Sequence, residues 1–361
     1  MKAAVLQAVG APLEILEVDI DRPGPGEIMI RTAAVGVCHS DLHFIEGLYP
    51  HPLPTVLGHE SAGIIEAVGP EVRDLAVGDH VITCLSVFCG HCEYCLSGRP
   101  SLCDSHEMAR GAEAPPRLSM DGRPVWQFMS LSSFAEQLLV HQHAVVKIPA
   151  DIPLDRAALI GCGVTTGLGA VFRTAAVDPG STVAVFGCGG IGLNCIQGSA
   201  IAGAARIIAV DRMASKLDLA SKFGATDVVD ASAVDPVAAV VELSGGGVHY
   251  AFEAIGLAVT VQQAFAVLRR GGTATVIGMV PFGTTVELPG FEFLREKRIQ
   301  GSTMGSNRFR IDMPRYLELY RQGRLKLDEL VSARRPLREV NEAFADLKAG
   351  NVARTVLMLD A

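Results

Sequence analysis

Four cysteines, Cys89, Cys92, Cys95 and Cys103, fall within FCGHCEYCLSGRPSLC in a C-x2-C-x2-C-x7-C spacing. Four thiolates this close along the chain can converge tetrahedrally on one Zn²⁺ from a single loop, leaving no position for a substrate. Such a set stabilises a loop and does no chemistry of its own.

A second constellation points to a nucleotide. The run VAVFGCGGIG places Gly187, Gly189 and Gly192 in G-x-G-x-x-G, after a strand-like stretch and at the start of a helical one. In that context the first glycine makes the tight turn, the second lets a pyrophosphate approach the backbone, and the third lets helix and strand pack closely. Gly190 and Ile191 then lie at the helix N-terminus, whose N–H groups suit phosphate. In a chain with 38 glycines the motif alone is weak. Asp211 strengthens it: an acid at the end of the next strand, about 20 residues on, binds the adenosine ribose hydroxyls. An acid there repels a 2′-phosphate, so NAD is expected over NADP, with Arg212 beside it softening the preference. A nucleotide-redox fold with a metal staple is the expectation.

The elements that must carry these residues change character along the chain. Up to about Pro149, short alternating strands such as EIMIRTAAVGV and SAGIIEAVG are cut by Gly- and Pro-rich turns, which predicts an irregular, mostly β lobe. A long polar loop follows Cys103. After Asp151, strand-like and helical runs alternate, which predicts a doubly wound parallel α/β sheet. The helical runs are one from about Ile191, then MASKLDLASKFG, PVAAVVELS, VTVQQAFAVLRR, PRYLELYRQG and PLREVNEAFADLKAG, and the chain closes on a strand, RTVLMLD. The tail is expected to rejoin the first lobe, giving a catalytic domain over 1–163 and 305–361 with a Rossmann domain, 164–304, inserted in it.

The chain has 361 residues, 49% of them hydrophobic and 19% charged, as a well-buried globular protein has. A net charge of −8 argues against nucleic acid as a partner. No window reads as the uninterrupted apolar run of about 18 residues that spans a bilayer, so no membrane partner is expected. No secretory signal is read at the N-terminus either, which gives a cytoplasmic expectation. In a reducing compartment the nine cysteines favour metal over disulfides. Cys84, Cys188 and Cys195 read as apolar packers. Cys188 lies inside the phosphate turn, where alkylation would block the cofactor.

Across GVCHSDLH, GHESAGIIEAVGPEV and LIGCGVTTG the chain resembles the zinc-dependent medium-chain alcohol dehydrogenases. The second segment fits their G-H-E-x2-G-x5-G-x2-V pattern, and the cysteine loop and glycine turn occur in the family's order. The resemblance implies a GroES-like catalytic domain, two Zn²⁺ per chain and hydride transfer between NAD and a primary aliphatic or benzylic alcohol/aldehyde pair. It implies that Cys38, His59 and Cys162 hold the catalytic zinc, with Asp41 orienting His59 and Glu60 nearby. Taken singly, Cys162 also reads as a core thiol and His59 as a loop histidine. Ser40 and His43 fall at the proton-relay positions, and Leu85, Phe128 and Met129 at pocket positions. His39, Thr166, Lys216, Ile255, Gly278 and Arg354 fall at cofactor contacts, with His39 and Arg354 on the pyrophosphate. The long loop after Cys103 is similar to that of dimeric members, so a homodimer paired near VIGMVPF is expected. One alternative is a thiol-adduct formaldehyde dehydrogenase, which Glu107 ahead of Arg110 fits poorly. The other is an inactive zinc-stapled binding protein.

Overall fold

Strand Glu27–Gly36 is the axis of the first folding unit, alternately buried at its start and buried throughout its last three residues. The computed structural model describes residues 1–111, 113–350 and 352–359. The axial strand pairs antiparallel with Ser61–Val68, Gln137–His141 and Arg354–Met358. His80–Thr83, Val145–Ile148 and Val331–Pro336 complete a seven-stranded sheet. A four-stranded sheet built on Lys2–Leu6 lies in the same unit. One core there joins Leu6, Val56, Phe128, Phe134, Phe344 and Leu357. The unit comprises Met1–Cys162, Arg308–Gly323 and Leu327–Ala361. The strand expected over RTVLMLD ends at Met358, and Asp360 lies outside the described residues.

The second unit is Gly163–Asn307 with Arg324–Lys326. Its six parallel strands run in the order Asp227–Asp230, Arg206–Asp211, Thr182–Phe186, Val248–Glu253, Leu268–Val276, Arg298–Gly301. This is the doubly wound order in which a ligand sits beyond the strand ends where the winding reverses. Here the reversal falls between Thr182–Phe186 and Val248–Glu253, and the glycine turn leaves the first of these. Helix Pro236–Leu243 starts with Asp235 Oδ1 accepting from Ala238 N at 2.8 Å and with proline in its first turn, a sound helix start. One helix is shorter than its sequence pattern suggests. It ends at Ala266, and Leu268 already pairs with Val248 in the sheet.

The helical segment Leu154–Ala175 corrects the expectation that no stretch is long and apolar enough for a bilayer. Its 22 residues meet both requirements, yet 83% of its most apolar window is buried inside the protein, as in a core helix. Small residues rather than a leucine run make it apolar, which hid it in the sequence. Two π-helical turns, Ile160–Val164 and Ala170–Ala175, interrupt it.

Candidate active site and metal centres

The sheet register explains how Cys38 and His59 meet. Val35 pairs with Ser61 in the antiparallel ladder, so the chain leaves one strand towards Cys38 beside the point where His59 and Glu60 enter the next. Cys162 arrives from the π-helical turn Ile160–Val164. That turn comes close because residue 161 is glycine: a Cβ there would lie 2.8 Å from Thr83 O. The three donor atoms of Cys38, His59 and Cys162 lie within 4.8 Å of one another, and all three residues are buried.

The trio suits a metal ion. His59 Nδ1 donates to Asp41 Oδ1 at 3.1 Å, and Gly58 N donates to the same oxygen at 3.0 Å. Among the described residues His59 Nε2 is buried with no hydrogen-bond partner, a costly state for an imidazole nitrogen unless a ligand completes it. The hydrogen bond shared with Cys162 holds the Cys38 thiol well below its usual range, against burial and aided by the charge of Arg354. The same bond, then burial, pushes Cys162 well above. Burial works against a charged His59, but Asp41 raises it well above the usual imidazole range. Binding a metal would therefore release protons from this site. Two sulfurs and an imidazole are donors that Zn²⁺ favours.

Glu60 and Arg354 flank the trio. Arg354 Nε lies 3.6 Å from Glu60 Oε1, and neither side chain reaches solvent appreciably. Gly36 makes room for this acid: a Cβ there would sit 2.1 Å from Glu60 Oε1. Arg354 thus lies beside the cysteine–histidine trio, spending Nη1 on Val37 O at 3.5 Å, with no hydrogen-bond partner for Nη2 among the described residues. Ser40 Oγ and Cys38 Sγ share a hydrogen bond of 3.7 Å. His43, on the same short helix His39–Ile45, is half-buried. Burial lowers its pKa, and its Nδ1 has no hydrogen-bond partner among the described residues. His39 is exposed at the start of that helix.

The four-cysteine loop is arranged for a tetrahedron. Cys89 and Cys95 sulfurs are 3.8 Å apart, as are those of Cys92 and Cys103. Metal–sulfur bonds of about 2.3 Å in a tetrahedron place the sulfurs about 3.8 Å apart. Backbone N–H groups of His91 and Cys92 donate to Cys89 Sγ, and that of Cys89 to Cys103 Sγ. The nine cysteines form no disulfide.

In the second unit, Gly187 has φ of +93°, and a Cβ on Gly192 would lie 1.7 Å from Gly187 O. Those two glycines are required by the turn and by close packing. Gly189 differs: a Cβ there would meet nothing within 4 Å, so an open approach remains above the start of helix Gly190–Ile201. That is the fit a pyrophosphate needs. Asp211 stands at the loop, but its carboxylate already accepts from the backbone N–H of Cys188, Arg212 and Met213, so it also fixes the turn. Ile255 packs on Gly187, and Gly278 lets Gly256 approach. Thr166 Oγ1 donates to Met304 Sδ at 3.4 Å. Lys216 is half-buried in the first turn of the following helix.

Comparison with known proteins agrees with this geometry. Residues 24–150 match the alcohol dehydrogenase GroES-like domain, and residues 190–322 match the zinc-binding dehydrogenase family. The chain is 42% identical to the NDMA-dependent alcohol dehydrogenase of Amycolatopsis methanolica, over 100% of this chain and 99% of the relative. It is 38% identical to the S-(hydroxymethyl)glutathione dehydrogenase of Saccharomyces cerevisiae, over 99% of this chain and 96% of the relative. The chain belongs to the zinc-dependent medium-chain alcohol dehydrogenases. Among solved structures, an alcohol dehydrogenase zinc-binding domain protein from Burkholderia ambifaria superposes with a TM-score of 0.95 at 38% identity, covering 100% of this chain and 99% of that one. The benzyl alcohol dehydrogenase of Acinetobacter calcoaceticus superposes at 0.94 and 35%, covering 99% of each.

Within this alcohol dehydrogenase scaffold, the candidate pocket residues are not all neighbours. Phe128 is buried with its ring edge-on to His59, centroids 6.0 Å apart, and Met129 packs on the same core. Leu85 packs instead on the core around Ile28, Ile30 and Ile65. Cys188 is only 1% exposed, and burial with the Asp211 charge pushes its thiol far up, so it is no target for alkylation. Sequence reasoning missed Glu253. Fully buried at a strand end, it accepts from Ile255 N, Gly256 N and Thr260 Oγ1 and fixes the loop packed on Gly187. An acid followed by A-I-G at the end of an apolar strand was the available signal.

Proposed function

We propose that this oxidoreductase interconverts primary alcohols, aliphatic or benzylic, and aldehydes. Zinc would be held by Cys38, His59 and Cys162, and NAD by the glycine turn. The observation that carries the reading is the buried trio itself, with two sulfurs and His59 Nε2, an imidazole nitrogen with no hydrogen-bond partner among the described residues. When bound, zinc supplies a Lewis acid for the alcohol oxygen and NAD the hydride acceptor. The chain does the rest. Asp41 fixes the His59 ring. Ser40, bonded to the Cys38 sulfur, takes the hydroxyl proton, and His43, one helical turn on, passes it towards solvent. Burial lowers the His43 pKa and so favours its neutral ring. Phe128 excludes water beside His59, and Met129, on the same core, contributes to the apolar wall. Glu60 and Arg354 complete the buried electrostatics.

Cys89, Cys92, Cys95 and Cys103 would hold a second, structural zinc. Asp211 favours NAD over NADP, and His39, Thr166, Lys216, Ile255, Gly278 and Arg354 serve the cofactor. Unpaired cysteines in metal spacing suit the cytoplasm. A homodimer would form at the cofactor-domain edge, supported by Phe282 and Leu294, 83% and 80% exposed.

The yeast relative favours a second reading, oxidation of a thiol–formaldehyde adduct. Against it, Arg110 is engaged by Asp21 and Glu27 at 2.6 Å each and is not available to an adduct carboxylate. The test is NADH formation with short, long and benzylic primary alcohols, with and without a thiol plus formaldehyde, and with NDMA as an alternative acceptor. Turnover of simple alcohols by NAD alone is expected. Activity only with thiol and formaldehyde together would move the assignment to the adduct. A requirement for NDMA would align the chain with its Amycolatopsis relative, and one zinc per chain without turnover would leave only a binding protein.

A further inference from the structure

A third group of metal donors lies on the outer side of the four-cysteine loop. Cys89, His91 and Glu107 bring a sulfur, an imidazole nitrogen and a carboxylate oxygen within 4.8 Å of one another. His91 Nε2 and Glu107 Oε2 are 3.2 Å apart, with side chains 68% and 47% exposed. Cys89 belongs to both groups, and its own side is buried.

We propose that Cys89, His91 and Glu107 form an entry station that captures a divalent transition ion from solvent and hands it to the four-cysteine site through Cys89. A mixed sulfur, nitrogen and oxygen set with open positions binds zinc-like ions but does not enclose them. The closed four-sulfur set encloses the ion but offers no open face. Sharing one sulfur joins the two: the ion keeps its bond to Cys89 while His91 and Glu107 are replaced in turn by Cys92, Cys95 and Cys103. No electrons move, and each incoming thiol releases its proton as its sulfur binds. Departure runs the same path backwards, so exchange in the folded enzyme reads both directions.

The inference rests on the reading of the four cysteines as a metal site. Its test is exchange of zinc for cadmium in the full-length, metal-loaded protein, followed by ¹¹³Cd NMR, in which a four-sulfur site and a two-sulfur site give separate resonances. In His91→Ala and Glu107→Ala, growth of the four-sulfur resonance should slow about tenfold, the scale on which a lost supporting group acts at metal sites. The two-sulfur resonance should grow at its wild-type rate, and final occupancy and melting temperature should not change. Equal four-sulfur rates in variant and wild type would overturn the proposal alone, as would slowing at both sites or loss of a third, separate cadmium. Absence of any four-sulfur resonance would overturn it together with the reading beneath it.

Discussion

Glu60 and Arg354 form a buried ion pair 3.6 Å apart beside Cys38, with side chains 0% and 4% exposed. Removing one partner strands the other charge in a dry site, which costs about 3–5 kcal/mol. Arg354→Met should therefore destabilise the protein by about that amount in urea unfolding. Arg354→Met with Glu60→Gln should recover part of the loss, because the stranded charge goes too. Since the guanidinium charge helps lower the Cys38 thiol, Arg354→Met should also weaken metal retention at the trio, read by metal analysis after dialysis against a weak chelator. Metal at the four cysteines should be unaffected.

The glycine turn allows cofactor binding to be separated from packing. Gly192→Ala would push a methyl group to 1.7 Å from Gly187 O, so the strand and helix must part and the melting temperature should fall. Gly189→Ala meets no protein atom, and its backbone, at φ −77°, suits any residue. Its stability should stay within about 0.5 kcal/mol of wild type. Its methyl group would nevertheless occupy the approach to the turn, so NADH affinity by fluorescence titration should drop about tenfold or more. Unchanged NADH affinity in a stable Gly189→Ala protein would place the nucleotide elsewhere.

How much was legible depended on how local each cause is. The cysteine loop could be read from spacing because all four cysteines lie in one short run, and the glycine turn because each glycine acts on its own neighbours. The trio could not be derived that way. Cys38 and His59 meet through the register of two strands, and Cys162 through a glycine that lets a helical turn approach Thr83. Only the family resemblance pointed to the set. The pairing of Glu60 with Arg354 is a product of the terminal strand rejoining the first sheet, and no local pattern announces it. The core helix Leu154–Ala175 was hidden by its glycines and threonines, which weaken a helical pattern while leaving a surface that packs closely.

The four-cysteine loop should behave as a staple. Cys95→Ser removes one corner of a sulfur tetrahedron whose Cys89–Cys95 edge is 3.8 Å. The variant should lose one zinc per chain and melt about 10 °C lower, since the metal's binding energy is part of the folding energy. Alcohol turnover below the new melting point should persist, because the trio is untouched. Loss of both zinc ions in Cys95→Ser would show that the two sites are not independent.

Acid stability should report on Glu27. This buried carboxylate accepts from Arg110, Arg117 and Gly24 N, with Arg117 Nε at 2.7 Å and Gly24 N at 2.9 Å. Burial alone would raise its pKa, but these partners overcome it and lower the value to about 2 from 4.5. The folded value lies below the unfolded one, so the carboxylate's contribution is complete above pH 4.5 and is lost as pH falls towards 2. The shift corresponds to an upper value of about 3 kcal/mol. Glu27→Gln should thus be markedly less stable than wild type at neutral pH and converge with it near pH 2. His141 adds an earlier onset: burial, then its neighbour His143, lowers it to about 4 from 6.5. Between those values the unfolded chain takes up a proton that the folded one refuses, so there too stability falls as the pH falls. His141→Gln should flatten the curve in that upper window while leaving the Glu27 step in place. Urea unfolding at intervals between pH 7 and pH 3 separates the two, and a Glu27→Gln penalty that is the same at pH 7 and pH 3 would show that the arginine pair does not hold this carboxylate ionised.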